Sequence, residues 1–232
     1  MFLTAPVGAL VEGLFEQPFP LGELAAHGDL GIGTFNDLDG EMILVDGRFW
    51  RADAQGRVTE MPPETRTPFA AATWFNPDTV DEVDERDGTD AFALLDALLP
   101  SPNMLYALRV DGEFELVRAR SVPRQPAGRP LVEATRSQAE FEFPRVTGSL
   151  VGFFTPAYLG GAAVPGLHLH FVDQPRTRGG HALAARLTRG AVRIQHVPQL
   201  RLALPVTLDF LTLDLAREDA RDVARDLDEA ER

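Results

Sequence analysis

The chain contains five histidines, and three of them fall within 14 residues: His168, His170 and His181. The first two stand in Gly166-Leu167-His168-Leu169-His170-Phe171. Residues i and i+2 of a strand share a face, so His168 and His170 project the same way while Leu169 and Phe171 face the opposite side. The connection from Asp173 to Gly180 carries Pro175 and two glycines. The chain can therefore reverse there, and His181 opens the next strand opposite the pair. Three imidazoles on one sheet face with a fourth position open form the ligand pattern of a catalytic zinc site. Nitrogen ligands suit Fe, Ni and Cu as well. The plainer reading is three partly exposed histidines on a polar strand face; an H-x-H pair with a third His one hairpin away tips the balance to metal. His27 follows a helical stretch and precedes a glycine, which fits a C-terminal cap. His196 reads as structural or exposed.

Two further segments carry groups that chemistry can use. Gly31 to Glu41 is rich in turn formers and ends on a carboxylate beside an apolar strand. On composition alone it reads as a strand flank with solvated acids. Arg118, Arg120 and Arg124 cluster in Arg-Ala-Arg-Ser-Val-Pro-Arg, either an anion clamp or, slightly favoured by composition, a solvated edge.

What the chain lacks narrows the chemistry. Among 232 residues there is no Cys, and all 22 basic residues are Arg, so there is no Lys. This excludes disulfides, thiolate metal sites and a Cys nucleophile. It also excludes a Schiff-base lysine and a phosphate-loop lysine. Any chemistry runs on His, Asp, Glu, Arg, Ser, Thr, Tyr, the backbone or a metal. The net charge of −13 argues against nucleic acid or an anionic membrane as partner. It leaves room for an anionic small molecule held at one buried Arg. The N-terminal run has no basic flank and is broken by Pro6, Gly8 and Glu12. No stretch approaches the roughly 20 apolar residues of a membrane helix. The expectation is a cytoplasmic protein with no membrane partner.

The elements that must position these groups read as follows. Residues 7–15 and 20–27 have helical apolar spacing. Residues 42–51 form a hairpin around Asp46-Gly47, a type I′ signal, and Asp53 to Gly56 turns before Val58. Thr67 to Phe75 is a strand, and Asp78 to Arg86 is a polar acidic stretch. Ala91 to Leu99 is a helix stopped by Pro100. By the same turn logic, Asp111-Gly112 predicts a hairpin of 105–110 with 113–120. Prolines 123, 126 and 130 mark a long connection. Strands follow at 139–143, 147–154, 167–172, 181–188, 191–197 and 199–204, joined by short turns, so this half is antiparallel. The tail, 214–232, holds eight acidic and four basic residues and reads as a short helix or strap.

Taken together, several segments resemble a known family. They are Gly8 to Gly13, His27-Gly28-Asp29, Gly33 to Asn36, Leu38 to Met42, Thr67 to Ala70, Arg120-Ser121-Val122-Pro123, Leu150 to Phe153 with Thr155-Pro156, His168 to Phe171, and Gly179-Gly180-His181. Their order and spacing resemble the bacterial α-acetolactate decarboxylases over nearly the whole chain. The resemblance implies a two-domain α/β protein of the α+β type. An N-terminal mixed sheet with helices covers residues 1–128. A C-terminal antiparallel sheet over 129–232 carries the metal-binding histidines. It implies a homodimer and a zinc ion held by His168, His170 and His181. It implies catalytic roles for Glu41, Arg120 and Glu231, with Glu229 the alternative to Glu231, and substrate binding by Thr34 and Arg120. The implied substrate, 2-acetolactate, is a β-keto acid. Loss of CO₂ from C2 leaves electrons that delocalise onto the C3 carbonyl oxygen, and protonation at C2 gives acetoin. Such a reaction needs charge stabilisation by a Lewis acid or a lysine imine, and this chain has no lysine. Two other classes compete: a cupin-like metal dioxygenase or isomerase, and a non-enzymatic small-molecule or metal-binding module. Cupin-like sites add a carboxylate soon after the His pair, but Asp173 is at odd spacing from His170 and would face the other way.

Overall fold

The computed structural model describes residues 1–125, 128, 130–135 and 138–215. In chain order its strands are β1 (Phe2–Leu3), β2 (Phe19–Pro20), β3 (Leu30–Thr34), β4 (Glu41–Val45), β5 (Arg48–Ala52), β6 (Val58–Glu60), β7 (Arg66–Thr67), β8 (Ala70–Thr73), β9 (Thr79–Asp90), β10 (Leu105–Ser121), β11 (Ala139–Thr155), β12 (Gly166–Asp173), β13 (Gly179–Val197) and β14 (Arg201–Leu202). Short helices α1 (Val7–Val11), α2 (Leu21–Leu24), α3 (Ala91–Leu98), α4 (Leu131–Thr135) and α5 (Leu208–Thr212) complete a mixed α/β fold that is mostly β. None of the described helices is long and apolar enough to cross a membrane.

The first sheet is mixed, in the order β14-β1-β8-β3-β4-β5-β6, with β1 and β14 parallel and every other neighbour antiparallel. The second is antiparallel, in the order β10-β11-β12-β13-β9, and β10 also pairs with β13. Strands β10, β11, β12 and β13 therefore close into a ring. β9 and β10, although they precede the proline-rich connection, hydrogen-bond within this second sheet.

Side-chain alternation builds the layers. Met42 and Leu44 of β4 pack on one face with Leu21 and Leu24 of α2. Ile43 and Val45 pack on the other, against Ala107, Val151, Phe153 and Val172 of the second sheet. Both faces of β4 are buried, which is why it reads as a continuous apolar run. Leu169 and Phe171 of β12 turn into the interior of the ring, with Leu108, Phe114 and Leu150. Phe171 meets Phe114 edge-on, with ring centroids 5.7 Å apart.

The Asp46-Gly47 hairpin forms as expected. Both residues take positive φ, 54° and 72°, as a type I′ turn requires, and Val45 pairs with Arg48. The Asp111-Gly112 hairpin does not form: 105–121 is one continuous strand. Asp111 instead accepts from Arg109 Nε at 2.7 Å, Ser149 Oγ at 2.7 Å and Arg193 at 2.5 Å. Gly112 is there for close approach rather than for a turn. It pairs with Gly148 on one side and Gly190 on the other, and an added Cβ would lie 2.3 Å from the Arg189 carbonyl oxygen. The same stack explains why 139–155 and 179–197 are each one long strand rather than two. The acidic stretch after Asp78 is also a strand, β9, paired to β13. The α3 helix is capped by Asp90, whose carboxylate accepts from the Phe92 and Ala93 amides, and it stops before Pro100.

Gly112→Ala is expected to destabilise the fold by about 1–3 kcal/mol through overpacking against backbone. The check is a lower urea midpoint at unchanged denaturant slope.

Candidate metal centre and its surroundings

The ladder of the second sheet carries the site. Arg120 of β10 pairs with His181 of β13, and His181 pairs on its other side with His170 of β12. Directly paired residues of an antiparallel ladder present their side chains on one face. Arg120, His181 and His170 thus form a row, and His168 joins it two residues along β12. The face is the one that meets the first sheet, because Val172, next in the same alternation, lies in the core between the sheets.

One potential ligand atom from each of His168, His170 and His181 lies within 4.8 Å of the others. The ring centroids are 5.0–5.4 Å apart. His170 and His181 are buried. Desolvation, reinforced by the Arg120 guanidinium, pushes the His168 pKa down to about 3. This ring is therefore neutral at neutral pH, the form in which an imidazole binds a metal. His170 is oriented by a hydrogen bond of 2.7 Å between its Nδ1 and the Met42 carbonyl oxygen of β4. A carbonyl can only accept, so Nδ1 carries the proton and Nε2 is the nitrogen that a metal would use. A backbone carbonyl behind a metal-ligating imidazole is the usual outer support of such sites. The donor set, three imidazoles and no thiolate, fits a single divalent ion.

The first sheet supplies the rest. Thr34 of β3 and Glu41 of β4 are seven residues apart because they are direct cross-strand partners. Glu41 lies on the same face of β4 as Ile43 and Val45, facing the second sheet. Its carboxylate is 3.5 Å from His170 Nε2 and 3.8 Å from an Arg120 guanidinium nitrogen. Glu41 and Arg120 are both buried. The Thr34 hydroxyl donates to the Gly40 carbonyl at 2.8 Å, which holds the backbone just before Glu41. Ser121, after Arg120, donates to the Ala52 carbonyl at 3.0 Å, so β10 is tied to β5 where Arg120 enters the site.

Thr34, Glu41, Arg120 and the three histidines line a cavity of about 60 Å³, several times the roughly 10–15 Å³ that one water needs. The rest of its wall is largely apolar, built by Val7, Leu10, Leu38, Phe69, Val122 and Val164 among others. Backbone hydrogen bonds close the seam between the sheets nearby: Gly179 to the Gly56 carbonyl at 3.0 Å, and Val58 to the Thr177 carbonyl at 2.9 Å.

The three arginines of the 118–124 segment part company. Only Arg120 enters the cavity. Arg118 pairs with Glu140 in the solvent and Arg124 pairs with Asp37. His27 does not cap through its ring, which stacks on Phe2 at 3.7 Å. His196 is half-buried and pairs with Asp78. Asp173 is fully buried and accepts from the Thr177 and Arg178 amides, the Thr177 hydroxyl and Arg178 Nε. It caps the β12–β13 turn, so the extra carboxylate of a cupin-like site is not supplied from there. Glu229 and Glu231 lie outside the described residues. The Met42 carbonyl and the apolar wall were not foreseen from sequence. A carbonyl belongs to every residue, and the wall residues carry no reactive group to mark them.

The sequence profile described as Alpha-acetolactate decarboxylase matches residues 1–217. An alpha-acetolactate decarboxylase of Methylococcus capsulatus is 44% identical over 220 residues, covering 94% of this chain and 84% of that protein. One from Bacillus subtilis is 39% identical, covering 100% of this chain and 90% of that protein. The crystal structure of alpha-acetolactate decarboxylase from Bacillus subtilis strain 168 superposes with a TM-score of 0.93 at 38% identity, covering 99% of this chain and 98% of that one. A Staphylococcus aureus structure described as similar to alpha-acetolactate decarboxylase gives 0.91 at 30% identity, again over 99% of this chain and 98% of that one. A match of this length, at these identities and on this fold, leaves one assignment: the chain belongs to the alpha-acetolactate decarboxylase family.

Proposed function

We propose that this protein is a carboxy-lyase that converts 2-acetolactate to acetoin and CO₂, using Zn²⁺ held by His168, His170 and His181. The observation that carries this reading is the convergence of three imidazoles, one buried Arg and one buried Glu on a single small cavity in a family named for that reaction. The chemistry a bound Zn²⁺ supplies is Lewis-acid polarisation of the substrate's hydroxyl and carbonyl oxygens.

The chain's own residues do the remainder. Arg120, permanently charged and planar, receives the substrate carboxylate and sets the direction of the C1–C2 bond. That bond breaks, CO₂ leaves, and its electron pair delocalises onto the C3 oxygen as an enediolate. Glu41, within 3.8 Å of Arg120, is placed to hold a proton and deliver it to C2. Thr34 fixes the Gly40 backbone and so the position of that carboxylate. The apolar wall excludes water from the enediolate face, which favours one protonation outcome. Glu231, or Glu229, completes the proposed set from the tail. A cytoplasmic homodimer is the assembly and location that the family resemblance supports.

Incubation with 2-acetolactate is expected to yield acetoin and CO₂ without oxygen, and a chelator is expected to abolish the yield. No acetoin from the metal-loaded protein would refute the reaction. His168→Ala is expected to lose both zinc and turnover; full zinc occupancy by elemental analysis would remove His168 from the ligand set. Arg120→Lys is expected to keep the fold, by unchanged circular dichroism, and to lose about 100-fold or more in turnover, since a point charge does not replace a bidentate fork. Near wild-type turnover would take Arg120 out of the mechanism.

A further inference from the structure

The segment between Thr34 and Glu41 contains two successive non-glycine residues in the left-handed backbone region, Asp37 with φ 62° and Leu38 with φ 52°. Aspartate tolerates that region, but a bulky leucine rarely enters it. Such a conformation carries strain and persists only where surrounding contacts over-determine it. Those contacts are present. The Asp37 amide donates to the Phe15 carbonyl at 2.8 Å, and the Asp37 carbonyl accepts from the Gln125 amide at 2.6 Å. The Asp37 carboxylate pairs with Arg124. Asp39 pairs with Arg51 at 2.5 Å, and the Asn36 amide brackets the Gln17 backbone at 3.0 and 3.2 Å. The Gly40 amide donates to the Leu38 carbonyl at 2.7 Å.

Glycine would occupy position 38 without strain. The side chain that the chain keeps there at a cost is buried and lines the same cavity as Val122, Phe69, the three histidines and Arg120. It also lies three residues before Glu41 on the same pinned loop, so its distance from the carboxylate is set by short-range geometry rather than by packing of separate elements. A 2-alkyl-2-hydroxy-3-keto acid directs its carboxylate, hydroxyl and carbonyl to the polar groups of such a cavity. Its alkyl groups are left for the apolar wall.

We propose that Leu38 is a specificity-determining residue: its strained, buried side chain limits the size of the alkyl group carried on the carbon that loses CO₂. This deepens the decarboxylase reading and rests on it. In a hydrophobic pocket one methylene is worth roughly 10- to 200-fold in kcat/KM, so the limit is measurable.

The test compares wild type, Leu38→Ala and Leu38→Gly, each loaded with zinc, on 2-acetolactate and on its homologue with ethyl in place of methyl at C2. The quantity read is the ratio of kcat/KM for ethyl over methyl. Both truncations are expected to raise that ratio about tenfold, and Leu38→Gly is expected to melt no lower than Leu38→Ala because glycine accepts the backbone. Leu38→Met, which keeps the volume, is expected to hold the wild-type ratio. A rise of about threefold or more in the better-folded truncation supports the assignment. A smaller change overturns it, whatever the absolute rates do, and leaves Leu38 a packing residue. Failure of the decarboxylase reading looks different: wild type would form no product from 2-acetolactate.

Discussion

The hydrogen bond from His170 to the Met42 carbonyl is the constraint on which the site depends. It crosses from one sheet to the other, and both of its partners are buried. Losing either partner would strand a buried polar group, which costs about 1–3 kcal/mol. It fixes the tautomer of the ring and therefore which nitrogen faces Glu41. Met42 is adjacent to Glu41 in β4, so one strand orients the imidazole through its backbone and offers the carboxylate through its side chain. The apolar layer of Ile43, Val45, Val151, Phe153 and Val172 keeps the two sheets at the separation this bond needs.

Electrostatics of the site follow from burial. Glu41 and Arg120 are close enough to offset each other's desolvation in part, and a buried pair with imperfect geometry contributes little to stability. His168 is held neutral beside Arg120. The absence of lysine fits this arrangement, because a guanidinium keeps its charge when buried where an ammonium would tend to lose its proton.

Much of this was legible in the residues. The period-two spacing of His168 and His170, with Leu169 and Phe171 turned away, was enough to place the pair on one face, and the histidine at the start of the next strand completed it. The seven-residue interval between Thr34 and Glu41 was visible but not its cause, which is a cross-strand pair closed by a strained loop. Asp111-Gly112 misled because the same dipeptide serves a tight turn and a close strand crossing. Only the neighbouring strands, with Gly148 and Gly190 at matching register, distinguish the two. Arg118 and Arg120 were alike in sequence, and tertiary packing alone sent one into the cavity and the other to solvent.

Among the described residues, ring closure leaves β9 as the open flank of the second sheet, and that strand reads Thr-Val-Asp-Glu-Val-Asp-Glu-Arg-Asp-Gly-Thr-Asp. An open flank of unpaired amides and carbonyls invites another chain to add itself. Repeated carboxylates along it repel a second acidic chain and favour the arginines of β13, with which Asp84 pairs through Arg189. Part of the net charge of −13 thus acts against aggregation, at the place where a mostly β protein is most open to it.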